Sequence, residues 1–197
     1  MRELSIDFDY FMYIVRQQMD GISIALFVKM SIIAVAAIFI LIQMYERLLG
    51  GKISDNKKQA FVLMAVYACF IFQIAFYRRI GTERVGINTR IYLGLRRWDG
   101  SIDAKQVVYS FLNVVFFIPW GFLLAWAMNG NVRRIVMTIV YSFLTSLSIE
   151  TIQFLTRTGA SEVTDLLTNV SGGFIGCLIY IFICSVSSSR SNRKGRK

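Results

Sequence analysis

Three groups of polar residues sit inside apolar sequence, and their types and spacing could do chemistry. In SIETIQFLTR, Glu150, Gln153 and Arg157 recur at i, i+3 and i+7, which is one face of one helix. In GASEVTDLLTNVSGGFIG, Asp165, Asn169 and Gly172 put an acid, an amide and a small residue on another. In FLNVVFFIPWGFLLAW, Asn113 precedes Pro119, Trp120 and Gly121. Carboxylates and amides hold polar or charged groups by hydrogen bonding, and two carboxylates in unlike surroundings can serve as acid and base. Each group also has a structural reading. Asn113 could bridge helices, Glu150 could fix helix register in an ion pair, and Thr164 and Asp165 could cap a positive helix end. Capping does not explain Asn169, a full turn deeper.

The elements that must position these residues are membrane helices. Of 197 residues, 55% are hydrophobic and 17% charged, against roughly 25% charged in a soluble domain. Five apolar blocks can each cross a hydrocarbon layer of about 30 Å: Ile22 to Tyr45, Ala60 to Tyr77, Val107 to Met128, Ile135 to Thr156 and Leu166 to Val186. The expected fold is all-α, a polytopic membrane protein with five transmembrane helices. An N-terminal segment, 1–21, holds a short interfacial helix from Phe8 to Met19, with Phe8, Phe11, Met12 and Val15 at helical spacing. The five-helix domain occupies 22–186, and 187–197 is a basic cytoplasmic tail expected to be disordered. Lys29 is placed to snorkel, and the first span, which follows several acidic residues, is expected to stay in the mature protein. Pro119 should kink its helix by freeing the carbonyl of Val115.

The net charge of +10 points to anionic lipid and to orientation, with no nucleic-acid motif beside it. There is no His, and Cys69, Cys177 and Cys184 all lie inside apolar blocks, so no metal, haem, disulfide framework or other cofactor is expected. Lys and Arg divide almost evenly between the two sides of a five-span chain. One loop, with Arg78, Arg79, Arg84, Arg90, Arg96, Arg97 and Lys105, supplies most of one side. With that loop as the exception, the positive-inside rule puts the N-terminus outside and the tail SRSNRKGRK in the cytoplasm. Span parity then gathers Arg78, Arg79, Asn88, Arg90, Asn113, Glu150, Gln153, Arg157, Asp165 and Asn169 at the outer end.

An outward polar pocket follows. Its arginines would attract an anion, its amides would orient the ligand, and Glu150 and Asp165 would hold the arginines. The partners expected are membrane lipids, with an envelope lipid, a wall polymer or a lipophilic antibiotic as ligand. One alternative is an enzyme on a lipid-linked envelope substrate with Glu150 and Asp165 as acid and base. Against it, no activated Ser or Cys is visible. Another is a structural or assembly subunit in which Gly172, Gly173 and Gly176 serve helix contacts.

These motifs resemble the VanZ-like family of bacterial membrane proteins. The shared features are an Asn before an apolar run ending in Pro, an aromatic and Gly; a Glu and Gln three apart; and Gly, an acid, Asp, Asn and a glycine pair opening the last helix. Here they read NVVFFIPWGFLL, EtiQ and GASEVTDLLTNVSGGFIG, within Tyr77 to Tyr180. RRIGTERVGIN supplies the family's upstream Arg and Asn as Arg79 and Asn88 without its Pro, Ala160 stands where Arg is frequent, and Glu162 where Asp is frequent. The resemblance implies a bacterial plasma-membrane protein, multi-pass, of a family named for an accessory role in resistance to the lipoglycopeptide teicoplanin.

Overall fold

Each apolar block folds as a helix because in hydrocarbon every backbone N–H and C=O must find its partner within the segment. The computed structural model describes residues 8–79, 87–88, 104–158 and 161–194. The order is α1 (Phe8–Met19), α2 (Ile24–Leu49), α3 (Asp55–Ala75), a 3-10 turn (Tyr77–Arg79), β1 (Ile87–Asn88), α4 (Ala104–Ala127), α5 (Asn131–Leu155), β2 (Ser161–Glu162) and α6 (Val163–Lys194). Among the described residues, α2 to α6 are the five helices long and apolar enough to cross a membrane. The chain is an all-α polytopic membrane protein.

α4 and α6 run parallel, with α5 antiparallel beside them, and their closest approaches have no side chain between them. A Cβ on Gly121 would overlap the Gly173 carbonyl, one on Gly172 the Val114 carbonyl, and one on Gly176 the Ile118 carbonyl. Without a hydrophobic force between helices in lipid, backbone contact of this kind supplies the dispersion that holds them. Aromatic rings tie α3 to both neighbours: Phe70 of α3 meets Phe27 of α2, Tyr67 of its own helix and Phe116 of α4 at centroid distances of 6.5, 5.7 and 6.2 Å. Pro119 lies inside α4, which runs on through it. The Tyr67 hydroxyl donates to the Phe116 carbonyl at 2.6 Å, in the turn that the proline disturbs.

α2 is pinned at its start. Gln73, fully buried on α3, accepts from the Ser23 N–H at 3.0 Å and donates to the Ser23 carbonyl at 3.1 Å, while Ser23 Oγ caps Leu26 N–H. At the other end of the bundle Arg134 closes α4, donating to the Ala125 and Met128 carbonyls with its guanidinium over the Tyr180 ring. A cation there also opposes the negative helix end. Glu46 closes the α2–α3 turn by pairing with Lys58 at 2.9 Å and accepting from Ile53 N–H.

α1 forms over the expected residues, Phe8–Met19, whereas the tail departs from expectation. α1 packs on the start of α4 through Phe11, Ile14 and Val15 against Val108 and Leu112, whereas Phe8 stays exposed. On the helical wheel the packed stripe runs from Ile14 through Phe11 to Val15, with Ile14 the most buried. The tail is not wholly irregular, since α6 continues to Lys194. No Gly or Pro interrupts residues 187–194, and a long helix already formed extends without a new nucleation cost.

Candidate functional site

α5 is turned inside out relative to a soluble helix. Its buried residues are Thr138, Ser142, Ser146, Glu150 and Gln153, every one polar, while Val136, Val140, Phe143, Leu144, Leu147 and Leu155 are exposed. Lipid takes the apolar side, and the polar seam faces the other helices. Exposed hydroxyls on the lipid side return to their own helix, Ser148 to the Leu144 carbonyl and Thr151 to the Leu147 carbonyl.

The seam meets α6 in a fixed register. Cys177 stands beside Thr138, Gly173 against Ser142, and Asn169 Nδ2 donates to Ser146 Oγ at 2.9 Å. Each step moves one turn up α5 and one turn back along α6. Continued by one turn, the same register leads to Asp165 on α6 and Glu150 on α5. Gln153, a turn above, donates from Nε2 to the Ala75 carbonyl at 3.1 Å, tying the end of α5 to the end of α3. Glu150, Gln153 and Asn169 are each about 95% buried, and Glu150 lies roughly 8 Å below the end of α5.

Asn113 approaches from α4. The contacts of Gly172 with Val114 and Phe117, and of Gly176 with Ile118 and Phe122, set Asn169 within a turn of Asn113 on the parallel helices. Both amides stand immediately above the glycine crossing. There the backbones touch, so the crossing forms a floor. Asn113 is half-buried and has no hydrogen-bond partner among the described residues.

The mouth is set by backbone. Arg79 closes the 3-10 turn after α3 and is half-buried. β1 pairs parallel with β2, Asn88 opposite Glu162 and Ile87 opposite Ser161, which brings the loop before α4 to the entrance of α6. The structure therefore draws Arg79, Asn88, Asn113, Glu150, Gln153, Asp165 and Asn169 to one end of the bundle. Arg78 lies in the same turn, and Arg90 lies outside the described residues.

Arg157 departs from the helical face predicted for it. α5 ends at Leu155 with Thr156 as its cap; Thr158 N–H bonds the Gln153 carbonyl at 3.0 Å and Arg157 N–H the Phe154 carbonyl at 3.2 Å. That paired closure requires a left-handed residue after the cap, ordinarily Gly. Arg157 fills the position at φ 55°. Helical spacing therefore stops two residues short of it, and its side chain is exposed at the rim.

Sequence reasoning overlooked Gln73 and Ser146. A signal for Ser146 was present, because Thr138, Ser142, Ser146 and Glu150 recur every four residues. Gln73, a single amide near a helix end, had none. Among the described residues no group of three or more metal-ligating side chains occurs.

The family model VanZ/LLP1 matches residues 59–184, from near the start of α3 to well into α6, and covers Arg79, Asn88, Asn113, Glu150, Gln153, Asp165 and Asn169. Protein VanZ of Enterococcus faecium is 38% identical over 84 residues, 42% of this chain and 47% of the relative, so the match spans about half of that protein. No solved structure matches the chain.

Proposed function

Because the chain belongs to the VanZ/LLP1 family, and because the most polar part of its buried surface gathers at one end of the bundle, we propose that it binds the polar portion of an envelope amphiphile there. The amphiphile is an envelope lipid, a lipid-borne wall polymer or a lipoglycopeptide of the teicoplanin type, and the cleft faces outward. One observation carries the reading: the α5–α6 register fixed by the Asn169–Ser146 bond, which continued by one turn brings Asp165 level with Glu150, beside Gln153 and Asn113 and above the glycine crossing. Burying such groups in a membrane costs several kcal/mol unless each is paired or met by water or ligand. Apolar helix faces outside would hold the acyl chains while the cleft holds the headgroup. With the arginine-rich loop before α4 set aside, the Lys and Arg of the opposite loops and the tail support an outward cleft, with the N-terminus outside and the C-terminus in the cytoplasm of a bacterial cell.

The test is binding of anionic lipids and of teicoplanin to the purified full chain, comparing the parent with Glu150→Ala and Asp165→Asn. Reduced binding by folded variants is expected; equal binding by all three refutes the cleft. A cysteine placed at Arg84 and labelled in intact cells checks the orientation, and labelling only after lysis would reverse it.

A further inference from the structure

The hydrogen bonds inside the cleft restrict what can fill it. Gln153 and Asn169 are each more than nine-tenths buried, and each spends one N–H on the protein, at the Ala75 carbonyl and at Ser146 Oγ. The direction at Gln153 is fixed, since a backbone carbonyl can only accept. Among the described residues nothing donates to Gln153 Oε1 or Asn169 Oδ1, and Asn113 keeps its whole amide. Glu150 and Asp165 are already engaged, so what is left over is an uncharged set of amide oxygens and N–H groups, with more lone pairs than protons.

A bare phosphate or carboxylate only accepts, so it would leave the amide oxygens facing oxygen. An ammonium only donates, and it would approach against the field of a chain of net charge +10. Hydroxyl groups do both. We infer that the cleft takes a hydroxyl-rich headgroup, a sugar or similar polyol, seated among Asn113, Gln153 and Asn169, with any negative charge of the ligand left at the rim beside Arg157. Arg157 is exposed there, with no partner among the described residues, on a backbone position that glycine would fill more cheaply. The inference rests on the cleft being the binding site and adds the chemical class of its ligand.

Native mass spectrometry of the full chain in detergent tests it, with glucosyl-diacylglycerol, phosphatidic acid and phosphatidylcholine of matched acyl chains as probes and methyl glucoside as a free competitor. Glucosyl-diacylglycerol should bind tightest. Asn113→Leu should weaken it by about fivefold, the effect of one lost hydrogen bond, and leave phosphatidic acid unchanged. Asn113 makes no bond that holds the fold together, so this variant separates binding from folding; Gln153→Met, which also loses the Ala75 bond, is the second. Competition by methyl glucoside indicates a free sugar, and its failure beside intact glucolipid binding indicates a lipid-borne one; either supports the assignment. Tightest binding by phosphatidic acid, abolished by Glu150→Ala, leaves the cleft standing and overturns the hydroxyl chemistry. Binding of no probe overturns both.

Discussion

Gly176→Ala probes the crossing on which the proposed cleft rests. In an ordinary helix interior this change adds stability, by about 1 kcal/mol. Here the new Cβ would overlap the Ile118 carbonyl and stand 2.7 Å from Phe122 N. Both are backbone atoms, so no side chain can rotate away. Reaching an ordinary contact of 3.4 Å separates α4 from α6 by at least about 0.7 Å, a gap that forfeits a quarter to a half of the attraction of each atom pair across it. Overpacking costs about 1–3 kcal/mol, and a clash with backbone atoms belongs at the upper end, so after the propensity gain of about 1 kcal/mol the net loss expected is about 2 kcal/mol. The assay is reversible unfolding of the full chain in mixed micelles, followed by helicity. Ser171→Ala, on the exposed side of α6 where Ser171 bonds the Leu167 carbonyl, is the control and should stay within about 0.5 kcal/mol of the parent. A Gly176→Ala protein as stable as the parent, or more stable, refutes backbone contact at the crossing and removes the floor from beneath Asn113 and Asn169.

The left-handed position at Arg157 makes two replacements differ in sign of benefit. Arg157→Gly should unfold at higher denaturant than Arg157→Ala, by about 1 kcal/mol, because only glycine takes φ 55° without steric cost; equal stabilities would contradict the closure seen after α5. Gln73→Leu removes both bonds to Ser23 and should cost about 2 kcal/mol, with faster hydrogen exchange at Ser23 to Phe27 as its local signature. Unchanged exchange there would show that the start of α2 is held by something else.

The five spans were readable because hydrocarbon demands long unbroken apolar runs, and α2 to α6 fall where those runs do. Glu150, Gln153, Asp165 and Asn169 could be placed because a helical repeat fixes their faces, and because Gly172 and Gly176 announce a close neighbour. Arg157 shows where that arithmetic ends. The seven-residue spacing from Glu150 holds only while the helix lasts, and the stop at Leu155 is set by capping bonds that no periodicity reports. Gln73 was illegible for a related reason: its worth lies in the Ser23 backbone fifty residues earlier, and a lone amide carries no sign of its partner. The match of Ile14 to the start of α4 depends on where α1 comes to lie, which its own amphipathic pattern leaves open by a residue or two.

The inverted polarity of α5 bears on how the molecule is made. Its seam of Thr138, Ser142 and Ser146 is sheltered by α6, the segment synthesised after it. A ribosome delivers α5 first. Until the last helix arrives, hydroxyls and a carboxylate would face acyl chains, so α5 must wait beside water or the insertion machinery and enter the bilayer together with its successor. A truncated chain ending before Val163 would leave that face without shelter, and the cell's membrane quality control should clear it.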